Sequence, residues 1–139
     1  MYKRILVAVD GSDNSKRAAE HAAYLASLNP RAVVNVLYIL DYDRTRSDVF
    51  HNAGSEDLHI DRQKQLAPIE KVFKQRDVTY ELFIKHGEPG PTIVIFANSN
   101  DFDLVIVGSR GLNAFQEMVL GSVSHKVAKH VAAPVLIVK

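Results

Sequence analysis

Four short segments of the chain are almost unbroken runs of β-branched and aliphatic residues: Ile5–Val9, Val33–Ile39, Leu104–Val107 and Pro134–Val138. A strand with one wet face alternates polar and apolar positions, so unbroken runs predict parallel strands covered on both faces. Val78–Ile84 alternates in part and reads as a strand nearer an edge. Between these runs the apolar period becomes helical. Ala18, Ala22, Leu25 and Ala26 form a narrow small-residue stripe suited to close packing on a sheet, with Ser12 or Asp13 as its cap. Leu58, Leu66, Ile69, Val72 and Phe73 form a second stripe, which Pro68 is expected to kink or divide. Ile93, Phe96 and Ala97 follow the turn-rich stretch Gly87–Pro91, and Leu120, Val123, Val127 and Val131 make a fourth stripe that stops before Pro134.

The predicted order is β-α-β-α-β-α-β-α-β. Strict alternation of short strands with helices implies an α/β fold, a doubly wound parallel sheet with right-handed crossovers and helices on both faces. No repeat, low-complexity tract or linker interrupts it, so residues 1–139 are expected to form one domain. Asp41–Gly54 is the one long loop, polar and of mixed charge, and a loop of that size is either functional or mobile. The last strand, Pro134–Val138, is short and apolar and is expected at a sheet edge. Such an edge either pairs with a second copy of the chain or is blunted by Lys139 and nearby loops; pairing into a homodimer is the favoured expectation.

Composition narrows the function classes. Hydrophobic residues make up 47% of the 139 and charged residues 24%, which excludes a disordered chain. The 17 basic and 16 acidic residues leave a net charge of +1, so neither nucleic acid nor an anionic membrane is expected as a partner. Cysteine is absent, which removes disulfides, thiol catalysis and Cys-ligated zinc. No apolar run reaches the roughly 18 residues of a membrane span. The start, Met1–Arg4 followed by a short apolar run ending at Asp10, does not read as a secretory signal. A soluble, cytoplasmic protein is expected.

In an open parallel sheet, ligands bind beyond the carboxyl ends of the strands, where strand order reverses. The loops after strands one, two and four therefore carry the candidate chemistry: Val9-Asp10-Gly11-Ser12, Ile39-Leu40-Asp41, and Gly108-Ser109-Arg110-Gly111, with the next helix opening near Gly121-Ser122-Val123-Ser124. Gly108 and Gly111 permit tight turns and close backbone approach. Gly121-Ser122 places N–H groups and a hydroxyl at a helix start, where an anion gains from unpaired donors and the helix dipole. Arg110 stands to add a charge-assisted bond to a phosphate. The constellation reads either as a phosphate cradle or as turn and cap residues alone.

Gly108-Ser109-Arg110-Gly111, nine residues, then Gly121-Ser122 resembles the G-x2-G-x9-G-[S/T] motif of the universal stress protein family, in its ATP-binding branch. The resemblance extends over essentially the whole chain, from Arg4–Ser12 through Asp103–Gly108 to Ala133–Val138. It implies a five-stranded sheet of order 3-2-1-4-5, of the adenine nucleotide alpha hydrolase-like type, with a cleft between strands one and four. It also implies ATP as ligand. Ala8, Val9, Asp10, Ile39, Val107 and Gly108 match the adenine and ribose pocket; Gly111, Gly121, Ser122 and Val123, with Ser124 adding a hydroxyl, match the triphosphate site. Arg110 falls at a position the family varies. Asp10 is placed to face the ribose or a phosphate-bound divalent cation, Mg²⁺, directly or through water; its alternative is a helix-capping carboxylate. Family members pair through the last strand, in line with the edge argument.

The chemistry of hydrolysis is incomplete. A hydrolase needs a base, a positioned water and stabilisation of developing charge; only the last has obvious residues, and no catalytic residue is assigned. His21, His51, His59, His86, His125 and His130 show no metal-binding spacing. His125 falls in the first turn of the last helix, either near a γ-phosphate or, more simply, solvated. Asp41 and Asp43 read as a solvated loop before a cation site. No G-x4-G-K-[S/T] is present, and Ile84-Lys85-His86 stands where a phosphoacceptor receiver domain has an aspartate. The expectation is thus a nucleotide-dependent binding module for an unidentified protein partner. A slow or partner-dependent ATPase or phosphotransferase is the alternative; a cleft for AMP or a cyclic nucleotide is a weaker one.

Overall fold

A computed structural model describes residues 1–40, 55–109 and 121–139, with the backbone alone described over 55–62. The described strands are β1 (Arg4–Val9), β2 (Val33–Leu40), β3 (Thr79–His86), β4 (Leu104–Gly108) and β5 (Val135–Val138). The described helices are α1 (Asp13–Ser27), α2 (Ser55–Gln75), α3 (Pro89–Asn98) and α4 (Ser122–His130). All five strands are parallel and lie in the order β3-β2-β1-β4-β5. Three of the four unbroken apolar runs are the central strands β1, β2 and β4; the fourth, β5, is one edge, as expected for the last strand, and the partly alternating run is the other edge, β3.

Successive side chains of each strand go to opposite faces, which splits the core in two. On one face Ile5, Val7 and Val9 of β1, Val34, Val36 and Tyr38 of β2, and Ile106 of β4 pack under α1 and α2. Helix α1 contributes five buried alanines, Ala18, Ala19, Ala22, Ala23 and Ala26, so its backbone lies close to the sheet. On the other face Leu6, Leu37, Ile39, Val105 and Val107 pack against Ile93 and Ala97 of α3 and Val127 of α4. Strand order reverses between β1 and β4: the loop after β1 leads to the first face, and the helix after β4 lies on the second. The two connections part at that point and leave a cleft at the carboxyl edge of the sheet.

Several boundaries differ from the sequence expectation. Pro68 does not divide the second helix, which continues through it from Ser55 to Gln75. The pyrrolidine removes one N–H on an exposed face, while Leu66, Ile69 and Phe73 stay buried on the sheet and hold the two halves in register. Strand β3 runs two residues past Ile84, because Lys85 and His86 pair with Ile39 and Leu40. Strand β5 begins at Val135 rather than Pro134, whose carbonyl nevertheless accepts from the Val105 N–H at 2.9 Å. The loop Asp41–Gly54 lies outside the described residues.

Candidate functional site

The cleft has a volume of about 500 Å³, within the ordinary size of a small-molecule site. Its lining has two characters. Ala8, Ile39, Pro89, Ile93, Val107 and Val123 make an apolar part on the α3–α4 side, and Asp10, Gly11, Ser12, Asn14, Ser15 and Gln65 make a polar part on the α1–α2 side.

The β1–α1 connection is fixed by local hydrogen bonds. Asp10 Oδ1 accepts from the Ser12 N–H at 2.9 Å, an Asx turn that bridges Gly11. Gly11 sits at φ +85°, a left-handed conformation that glycine adopts at no steric cost. Ser12 is the N-cap of α1: its Oγ accepts from the Ser15 N–H at 3.2 Å, while Ser15 Oγ donates to the Ser12 carbonyl at 2.9 Å. Asp10 therefore shapes the loop and leaves capping to Ser12. Asn14, also buried, accepts from Arg17 Nη2, and Arg17 Nε reaches the Lys139 carbonyl at 3.1 Å.

The end of β4 is set by packing. Gly108 pairs with Val138, and the buried Ser109 donates to the Val138 carbonyl from its N–H at 2.8 Å and from its Oγ at 3.3 Å. Helix α4 opens with Gly121 as N-cap in extended conformation and without a side-chain cap, so its first N–H groups lack an intrahelical acceptor. Ser122 is its first residue and is exposed. Ser124 is buried, and its Oγ donates to the Gly121 carbonyl at 3.1 Å.

The structure thus brings Ala8, Val9, Asp10, Ile39, Val107, Gly108 and Val123 together around one cleft. Gly121, Ser122 and Ser124 stand at the start of the helix that supplies Val123. Arg110 and Gly111 lie outside the described residues, as do Asp41 and Asp43. His125 is exposed on α4 and does not line the cleft. Sequence reasoning missed Gln65, Asn14, Ser15, Pro89 and Ile93 as lining residues. Ser15 carries a readable signal, three residues after the N-cap; Gln65 carries none, since it reaches the cleft from a helix two elements away. Among the described residues Asp10 is the one carboxylate on the lining, and no histidine joins it.

Two titratable groups outside the cleft are shifted. Asp103 Oδ2 accepts from the Arg4 and Lys3 N–H groups, both at 2.9 Å, and these bonds hold its carboxyl below the usual range. Burial, and then the hydrogen bond to Glu70 at 3.0 Å, push the Tyr80 hydroxyl up. Among the described residues no group of three or more His, Cys, Asp and Glu side chains is placed to hold a metal ion. No helix among them is long and apolar enough to cross a membrane.

The profile of the universal stress protein family matches residues 1–139. The chain belongs to the universal stress protein family. Universal stress protein YxiE of Bacillus subtilis is 31% identical, with 100% of each chain covered. Among solved structures, that of MJ0577, from Methanocaldococcus jannaschii, superposes with a TM-score of 0.82 at 29% identity and covers 100% of this chain and 96% of its own. A universal stress protein in complex with cAMP superposes at 0.73 with 26% identity, covering 99% and 97%. The universal stress protein of Archaeoglobus fulgidus in complex with dAMP superposes at 0.72 with 27% identity, covering 99% and 98%. These two universal stress proteins of the same fold thus hold adenine nucleotides.

Proposed function

We propose that this universal stress protein is a single domain over residues 1–139 that binds ATP in the β1–β4 cleft and works in the cytoplasm as a homodimeric, nucleotide-dependent binding module in the stress response. The observation that carries the reading is the two-sided cleft of about 500 Å³: an apolar part beside a polar loop, at the reversal of strand order. The cAMP and dAMP held by similar proteins support an adenine base as the ligand's apolar group.

In this reading Ala8, Val9, Ile39, Val107 and Gly108 hold the base and ribose. Gly111, Gly121, Ser122, Val123 and Ser124 hold the phosphates, with Arg110 adding charge. Mg²⁺ is bound mainly through the phosphates, with Asp10 as its protein ligand. The uncapped start of α4 suits a phosphate, because its N–H groups and helix dipole both favour an anion. ATP acts as a switch to the extent that it binds one arrangement of these loops more tightly than another. An unidentified protein then reads the difference, and dimer pairing runs through Pro134–Val138.

The test is calorimetric titration of nucleotide-free protein with ATP and Mg²⁺, with ADP release followed in the same samples. Saturable binding with negligible ADP is expected, since no base beyond Asp10 is apparent on the described lining. Multiple turnovers would make the protein an ATPase instead. The cAMP and dAMP complexes favour one competing ligand class, the adenosine monophosphates. AMP binding more tightly than ATP would select it and remove the triphosphate site. No binding at millimolar ATP would end the nucleotide reading.

A further inference from the structure

Helix α3 differs from the other helices in what it turns outward. Lys16 and Glu20 of α1 and Lys71 and Lys74 of α2 are exposed, but Pro89–Asn98 contains no charged residue at all. A helix that is apolar all round is ordinarily covered all round. The inner side of α3, Gly90, Ile93 and Ala97, is buried. The outer side is open. Ile95, about 200° round the helix from Ile93, is 66% exposed, and Val94 and Phe96 beside it are half-buried. Phe96 carries the apolar face on toward β3, its ring 5.3 Å from that of Phe83. The two polar side chains of α3 are committed to main chain. Thr92 Oγ1 donates to the Glu88 carbonyl at 2.6 Å; Asn98 donates from Nδ2 to the His130 carbonyl and accepts at Oδ1 from the Ala132 N–H.

The charge beside this face defines what fits it. Helix α4 lies alongside: a β-carbon at Gly90 would stand 3.0 Å from Lys126 Cδ, and Asn98 reaches the His130 carbonyl. His125, Lys126, Lys129 and His130 are exposed on α4, which contains no acidic residue. On the β3 side, Glu81 and Lys85 alternate with Phe83 and offset one another, and Glu88 and Asp101 lie beyond the two ends of α3. Among the described residues the apolar face is thus bordered along one flank by an uncompensated basic row. A matching surface has apolar side chains for Ile95 and Phe96 and carboxylates for Lys126 and Lys129. An anionic membrane is a poorer match, since its attraction takes clusters of roughly four to eight Lys or Arg and α4 has two lysines.

We propose that the outer face of α3, with the basic row of α4 beside it, is the docking surface for a protein partner that presents an acidic amphipathic segment. Apolar residues of that segment cover Ile95 and Phe96, and its carboxylates meet Lys126 and Lys129. The inference rests on the reading of the protein as a binding module and adds to it the surface and the partner's chemistry. Pro89 and Ile93 of α3 and Val123 of α4 line the apolar part of the cleft, so the partner sits on the reverse of a cleft wall.

The experiment selects a phage-displayed library of random linear peptides on the wild type. Dissociation constants of the enriched peptides are then measured for the wild type, Ile95→Asp and the double variant Lys126→Glu/Lys129→Glu. All three positions are exposed, so the substitutions spare the core. Enriched peptides are expected to carry Asp and Glu beside apolar residues. Their affinity falls at least about tenfold in Ile95→Asp, the loss of a central anchor. It falls roughly threefold or more in the double variant, and the same peptides with Lys in place of Asp and Glu bind that variant again. ATP binding by Ile95→Asp is expected to equal that of the wild type. Enriched peptides without acidic residues, affinities that neither variant changes, or a selection that enriches nothing each overturn the proposal, and ATP binding by the same preparation leaves the nucleotide reading standing. A wild type that binds these peptides but no ATP removes the nucleotide reading and leaves this surface. Sedimentation of Ile95→Asp as a smaller species than the wild type would make the occupant a second copy of the chain. Binding to phosphatidylglycerol vesicles that is lost in Ile95→Asp would make it a membrane. Either result overturns the proposal.

Discussion

Gly108 packs so closely on Asn14 that a β-carbon on the glycine would stand 2.8 Å from the Asn14 carbonyl oxygen and 2.9 Å from its carbonyl carbon. The first turn of α1 therefore rests directly on the last residue of β4. The sequence reading gives this glycine a turn and a close approach to ligand. In the structure Gly108 is still in the β4–β5 ladder, and its missing side chain makes room for a helix.

A substitution tests that role. Gly108→Ala must displace main-chain atoms of α1 and is expected to cost about 1–3 kcal/mol, as overpacking does. At this chain length that is a fall of several degrees in melting temperature. Thermal unfolding of variant and wild type checks it, and equal melting temperatures would show that α1 shifts freely.

Gly121 has a different task. It sits in extended conformation, which any residue adopts, so a side chain there brings no backbone strain. Gly121→Val is expected to abolish measurable ATP binding by blocking the approach of phosphate to the start of α4, while costing about 1 kcal/mol or less of stability as a poorer N-cap. Calorimetry and thermal unfolding on one preparation separate the two effects. Normal ATP binding by this variant would move the phosphates elsewhere in the cleft.

Asp10→Ala is expected to weaken ATP binding less than Gly121→Val does, and mainly when Mg²⁺ is present. The variant loses a carboxylate near the proposed cation and also the Asx turn to Ser12. Titrations with Mg²⁺ and with EDTA divide these contributions: the loss through the cation disappears in EDTA, and the loss through loop shape does not. An equal loss in both conditions would leave Asp10 a loop-shaping residue alone.

The fold was legible because its signal is additive. Each central strand is buried on both faces, so every residue of Ile5–Val9 or Leu104–Val107 repeats the same apolar message. Ends were less legible, since Lys85 and His86 join β3 through main-chain pairing with β2, which their side chains do not announce. Half of the site was legible for a similar reason: the loops after β1 and β4 carry glycines and hydroxyls in sequence order. Gln65 was not, because helix α2 delivers it from the far side of β2 and a lone glutamine on a helix has no distinguishing spacing. Nor was the use of Gly108 for Asn14, a contact between residues 94 positions apart.

The proposed dimer has its own test at β5. The carbonyls of Pro134 and Val138 both accept from β4, so the two-residue period of a strand turns the main chain of Val135 and Ile137 the other way, toward the open edge. Ile137→Pro removes an outward N–H and keeps the ladder to β4, since proline is tolerated on edge strands when its missing donor faces out. Sedimentation is expected to show a dimer for the wild type and a monomer for Ile137→Pro at the same concentration. An unchanged dimer would place the interface elsewhere.

Asp103 predicts an acid-side signature of stability. Its carboxylate accepts from the Arg4 and Lys3 main-chain N–H groups, which tie the start of β1 to the residue before β4, and the Asp103 N–H returns a bond to the Arg4 carbonyl at 2.8 Å. Those bonds favour the ionised form, so its pKa lies lower in the folded chain than in the unfolded one. A carboxyl of lowered pKa contributes its stability in full above the unfolded value, about 4, and loses it as pH falls through the folded value. Asp103→Asn keeps an acceptor but not the charge. The wild type is therefore expected to exceed the variant in denaturant midpoint at pH 7 by a modest margin, because the group is solvent-exposed. That margin should narrow below about pH 4. A margin constant from pH 7 to pH 3 would mean that the carboxylate's charge adds nothing to the clasp between β1 and β4.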